Sequence, residues 1–155
     1  MKLFFLILAA LGVGFVLWVR SAKDDPLVWH VDPLTVVKGG KPNRYLMLPD
    51  NTPSKSPVFE VSALELAAAF DRVAMAQPRV SLLAGSVDEL WMTYVQRTAL
   101  MRYPDYISVK VIGNTDGSAT LAIYSRSRFG RSDFGVNRAR VKMWIKALGQ
   151  MLVAR

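Results

Sequence analysis

The chain has 155 residues, a net charge of +8 and no cysteine. That length suits a single domain. Without cysteine there can be no disulfide, thiolate metal site or cysteine nucleophile. The charge is uneven: residues 106–155 carry nine basic against two acidic residues, whereas residues 24–105 carry eight against ten. A basic C-terminal third suits an anionic partner such as lipid headgroups, acidic polymer or nucleic acid. The plainer reading is a solvated basic helix face.

Leu3 to Val19 is uncharged and apolar, bracketed by Lys2 and Arg20, with Trp18 at an interfacial position. As a helix it is about 26 Å long, enough for a hydrocarbon core. The rival is a cleaved signal peptide, but Trp18-Val19-Arg20-Ser21 puts bulky and charged residues where a cleavage site needs small ones. Residues 1–22 are therefore read as a transmembrane anchor. The expected setting is a single pass of an inner (cytoplasmic) membrane with the C-terminal domain on the periplasmic side.

Residues 23–58 hold six prolines (Pro26, Pro33, Pro42, Pro49, Pro53, Pro57) and Gly39-Gly40. Proline at this density works against regular helix and sheet interior. Interspersed Trp29, Val31, Leu34, Tyr45 and Leu46 predict an extended segment lying across the folded domain. The only histidine, His30, stands two residues from Asp32. It is read as a surface or capping residue rather than an oriented general base, and one histidine makes a histidine-based metal site unsupported.

Residues 59–155 form the predicted α+β domain. Ser62-Ala63-Leu64-Glu65 is a capping box, and Leu66, Phe70 and Val73 line one face of the helix that follows. Four strands are predicted: Val80–Leu83, Leu90–Thr98, Tyr106–Ile112 and Thr120–Arg128, with Asn114–Gly117 a turn. In the last, Leu121, Ile123, Ser125 and Ser127 share one face, and Ala122, Tyr124, Arg126 and Arg128 the other. A helix from about Gly135 to Leu152 carries an apolar stripe of Val141, Ile145, Leu148 and Leu152, and a basic ridge of Arg138, Lys142 and Lys146. The fold class expected is thus an N-terminal transmembrane helix, a helix, a four-stranded mostly antiparallel sheet and a C-terminal helix.

Ser125 to Arg140 (SRSRFGRSDFGVNRAR) packs five arginines into a strand-to-helix junction. Together with His30-Val31-Asp32-Pro33, Lys41-Pro42-Asn43 and Tyr103-Pro104-Asp105, it resembles the signature of the domain of unknown function 1499 family, found in bacteria and plastids. The resemblance spans roughly Asp32 to Leu148. Arg131 departs from the aromatic or neutral residue of the pattern, Phe134 from its leucine, and no cysteine follows Asn43. The resemblance implies no activity, substrate or cofactor.

Physically, a helix N-terminus beside several arginines suits an anion. The candidate anion-binding residues are Arg126, Arg128, Arg131, Asn137 and Arg138. Asp133 is placed to cap the helix through backbone N–H groups near Gly135. The competing reading is structural: Arg128 or Arg97 pairs with Asp105 or Asp133, and Asn137 caps a loop. A second class, a hydrolase-like enzyme acting on an anionic substrate with Asp105 or Asp133 as acid/base, lacks a nucleophile motif, a metal-ligand set and a phosphate loop. No cofactor motif is visible. The membrane, with an anionic lipid, polymer or protein, is the expected partner; nucleic acid suits the charge but not the anchor.

Overall fold

Alternating apolar residues in the second half of the chain pair into one antiparallel sheet, and two amphipathic helices cover its apolar face. The computed structural model describes residues 1–37, 39–40, 42–50 and 54–154; Lys41 and Pro53, noted above, lie outside the described residues. The elements in chain order are α1 (Lys2–Arg20), α2 (Pro26–Trp29), a 3-10 turn (Pro33–Thr35), β1 (Arg44–Met47), β2 (Val58–Phe59), α3 (Ala63–Met75), β3 (Val80–Ser86), β4 (Trp91–Arg97), β5 (Pro104–Gly113), β6 (Ala119–Ser127) and α4 (Val136–Val153). The architecture is α+β.

The sheet has six strands rather than the predicted four, in the order β1-β6-β5-β4-β3, with β2 also on β6. The two additional strands come from the proline-rich region. Pro42, Pro49 and Pro57 flank β1 and β2 without occupying them, and both are edge strands that pair only with β6. Proline next to a short edge strand costs the ladder nothing.

Ser62 caps α3, its hydroxyl accepting from the Glu65 N–H at 3.3 Å. Leu66, Phe70 and Val73 of α3 and Val141, Trp144 and Leu148 of α4 pack on Met92, Tyr94, Ile107, Val109, Leu121 and Ile123 of the sheet. Phe70, Tyr94 and Trp144 meet edge-on or tilted, with centroids 5.9–6.3 Å apart. Such aromatic contacts add to the burial of their large apolar area.

The opposite face of the sheet is polar and aromatic, and residues 24–37 lie across it as a strap. Trp29 stacks on Tyr106 at 3.9 Å and His30 on Trp91 at 3.8 Å. Asp24 receives the Arg97 guanidinium at 2.6 Å and the Tyr106 hydroxyl at 2.7 Å, and Asp32 pairs with Lys110. Beneath the strap, the Thr93 hydroxyl donates to Ser108 Oγ at 2.9 Å, so His30 Nδ1 donates to Thr93 Oγ1, also at 2.9 Å. Gly85 makes room for this contact: a Cβ there would stand 3.1 Å from the imidazole and 1.9 Å from the Trp91 carbonyl oxygen.

α1 is long and apolar enough to cross a membrane. Its C-terminal end rests on the domain, with Val19 buried and Trp18 5.4 Å from Phe129.

Burial lowers the His30 pKa against the raising pull of Glu89 and Asp32. A folded value below the unfolded one favours the neutral ring. The stabilisation is therefore complete above pH 6.5 and lost as pH falls through the folded pKa. The melting temperature of the full chain in non-ionic micelles is expected to fall between pH 7 and 5, and His30→Gln to flatten that slope. A slope that survives the substitution would mean that another group carries it.

Candidate functional site

The alternation of β6 divides the junction between the two faces of the sheet. On the helix side, Ser125 Oγ donates to Asn137 Oδ1 at 2.6 Å. Asn137 is fully buried, and its Nδ2 donates to Asn43 O, Ser127 Oγ and Asp133 Oδ2 at 2.7–3.1 Å. Asn43 in turn donates to the Gly130 carbonyl at 2.8 Å. One amide thus ties together the loop before β1, the end of β6 and the start of α4.

Arg140 completes this corner. It donates to Asn137 Oδ1 at 2.6 Å, to Gln96 Oε1 at 2.6 Å and to Asp105 Oδ2 at 2.5 Å, in a buried ion pair. Asp105 is therefore partnered by Arg140, and Arg97 by Asp24. Neither Arg97 nor Arg128 pairs with Asp105 or Asp133, because the two arginines face the strap while Asp105 faces the helices.

Asp133 accepts the backbone N–H groups of Gly135 and Asn137 at 3.1 and 2.8 Å, closing the first turn of α4. Burial acts to raise its pKa, but these hydrogen bonds outweigh it and hold the carboxyl below its ordinary value. Both acid/base candidates, Asp105 and Asp133, border a cavity, and both carboxylates are engaged.

Of the other candidates, Arg131 is exposed in the turn after β6. Arg138 is exposed on α4, its guanidinium 5.9 Å from the Tyr45 ring centre. Arg131 borders an open cavity with Gly40, Pro42 and Gly130, and Arg138 lies on the helix side of the sheet.

Arg126 and Arg128 do share the strap face. Arg126 is 6% exposed. Its guanidinium donates to the Trp29 carbonyl, to Ser108 Oγ at 3.2 Å and to the Tyr124 carbonyl at 3.4 Å. It also sits 4.5 Å from the Tyr124 ring centre. Arg128 donates to Lys23 O at 2.7 Å and to the Tyr106 hydroxyl at 3.2 Å. Burial first, then the bond to Asp24 working against the bond from Arg128, pushes the Tyr106 phenol up to about 12.

Arg44, on β1, joins them. It lies directly opposite Arg126 in the strand register and donates to the Tyr124 hydroxyl at 3.3 Å and to Val37 O at 3.2 Å. Among the described residues no carboxylate pairs with Arg44, Arg126 or Arg128. An open cavity of about 350 Å³ lies between Trp29, Asn43, Tyr124 and these three arginines. The sequence reading missed Arg44 because it missed β1. The signal was the tetrapeptide Arg44-Tyr45-Leu46-Met47, too short to stand out among prolines. Among the described residues no cluster of histidine and acidic side chains could hold a metal ion.

The profile of the family described as Protein of unknown function (DUF1499) matches residues 40–148. The chain belongs to this family. The matched region runs from the loop before β1 into α4 and includes Arg44, Arg126 and Arg128; α1 and the strap precede it. No curated protein matches the chain.

Proposed function

We propose that this member of the DUF1499 family is a membrane-anchored binding domain rather than an enzyme, and that it takes an anionic ligand in the cavity between Arg44, Arg126 and Arg128. The observation that carries the reading is the register of β1 on β6. It sets Arg44 opposite Arg126, one of them buried, with no carboxylate paired to either among the described residues. Like charges directly opposite each other destabilise a strand pair, and taking a guanidinium out of water costs several kcal/mol in desolvation. Burial lowers the Arg126 pKa to about 10, which still leaves the group protonated at neutral pH. A phosphate or carboxylate seated between the two forks offsets both costs and matches guanidinium geometry. Lipid headgroups, acidic polymers and acidic protein surfaces all offer that chemistry.

The topology that goes with this reading is a single pass of an inner membrane by α1, with the domain on the periplasmic side. Alkaline phosphatase fused to the C-terminus is then active, whereas activity of a β-galactosidase fusion in its place reverses the orientation.

The site is tested with inorganic phosphate added to the full chain in non-ionic maltoside micelles. Thermal stability is expected to rise with phosphate, by about 2.7 kcal/mol at a hundredfold excess over Kd. Arg44→Gln should abolish that rise while changing stability without phosphate by less than about 1 kcal/mol. Stability that ignores phosphate, or a rise that survives Arg44→Gln, contradicts the proposal.

A further inference from the structure

Two exposed apolar side chains project from one end of the domain. β4 ends at Arg97, β5 begins at Pro104 and β6 ends at Ser127, so the 98–103 loop and the 128–135 turn leave the sheet at the same end. The loop carries Leu100, 79% exposed, and the turn carries Phe134, 97% exposed. Phe134 also has φ of +52°, the left-handed conformation that a bulky side chain rarely adopts. Asparagine or glycine would make this turn with less strain. Phe134 thus combines a strained backbone conformation with nearly full exposure of a large apolar ring.

α1 arrives at this same end. Besides the contact of Trp18 with Phe129, Arg20 donates to the Leu100 carbonyl at 3.2 Å. Phe15 of α1 lines an open cavity of about 630 Å³ with Tyr103, Phe129, Phe134 and Val136. Phe15 lies five residues before Arg20, about 7.5 Å deeper along the helix axis. With α1 across a bilayer, the cavity falls at the boundary between headgroups and acyl chains, the layer in which aromatic rings concentrate. Asp105 and Asp133 also line the cavity, but Asp105 is paired with Arg140 and Asp133 is taken up in capping α4. Arg20 of α1, Arg102 of the loop and Arg131 of the turn, at this same end, have no carboxylate partner among the described residues.

We infer that this end of the domain docks on the surface of an anionic bilayer, with Phe134 and Leu100 entering the interfacial layer and the cavity open to lipid acyl chains. The occupant is a lipid surface because the patch is continuous with the apolar helix itself, and because its arginines complement anionic headgroups. The inference rests on α1 being a membrane span and is independent of the arginine cavity on the strap face.

The cysteine-free sequence permits a direct test. Single nitroxide labels at Phe134→Cys, at Leu8→Cys within α1 and at Asp116→Cys in the turn at the far end of the sheet are introduced into the full chain. Each protein is reconstituted into bilayers of phosphatidylglycerol and phosphatidylcholine. Relaxation by dissolved oxygen relative to a water-soluble nickel chelate reads immersion. Labels at 8 and 134 are expected to favour oxygen, and the label at 116 to favour nickel. A label at 134 that matches 116, while 8 remains in lipid, overturns the docking and leaves the anchor intact. A label at 8 that favours nickel removes the anchor, and the docking with it. Spin–spin broadening at 134 would instead assign the patch to a second copy of the chain and likewise overturn the inference.

Discussion

The guanidinium of Arg126 is the charge around which one whole face of the domain is arranged. It lies under the strap with no carboxylate to balance it among the described residues, and it remains protonated at neutral pH. What holds it is dipolar: two backbone carbonyls, the Ser108 hydroxyl and the faces of Trp29, Tyr106 and Tyr124. A hydrogen bond to a charged group contributes about 1.5–3 kcal/mol, and a desolvated cation–π contact about 2 kcal/mol. Those gains are comparable to the desolvation penalty of several kcal/mol for one buried ion. Arg44, directly across the strand pair, adds a second positive charge to the same face. The same contacts fasten Trp29, and with it the strap, to the sheet. Strap attachment and the proposed anion affinity would therefore have one physical origin.

Arg140 shows what the compensated alternative looks like in the same junction. It too is buried, but it meets Asp105 directly, and Asn137, Ser125 and Gln96 accept from its other two nitrogens. This corner is closed on itself and needs no ligand. The sixteen residues from Ser125 to Arg140 thus do two different things. Ser125, Ser127, Asp133, Asn137 and Arg140 build the turn and start α4, while Arg126 and Arg128 face away beneath the strap. The two-residue period of β6 makes the division, because neighbouring side chains on a strand point to opposite faces.

That period was legible in the sequence, as were α3, α4 and the four longest strands, since each has enough residues for its spacing to repeat. β1 was not legible. Four residues between prolines give no periodicity, and an edge strand is recognisable only once its partner is known. Arg44 was lost with it. The pairing of Asp105 with Arg140 was hidden for a different reason: a residue of β5 meets a residue of α4 only when the helix docks on the sheet, and no local spacing reports docking. Grouping Arg131, Asn137 and Arg138 with Arg126 followed proximity in the chain. The structure carries Asn137 and Arg138 to the helix side by turning the chain from strand to helix between Ser127 and Val136.

The central claim is that Arg44, Arg126 and Arg128 act together on one anion. The guanidinium Nε–H signals of isotopically labelled full chain, followed by NMR in non-ionic micelles during a phosphate titration, address it most directly. The account requires the signals of these three arginines to shift together and saturably, with one apparent Kd, while those of Arg131 and Arg138 stay still. Shifts spread evenly over all exposed arginines, or an Arg126 signal indifferent to phosphate, would contradict it.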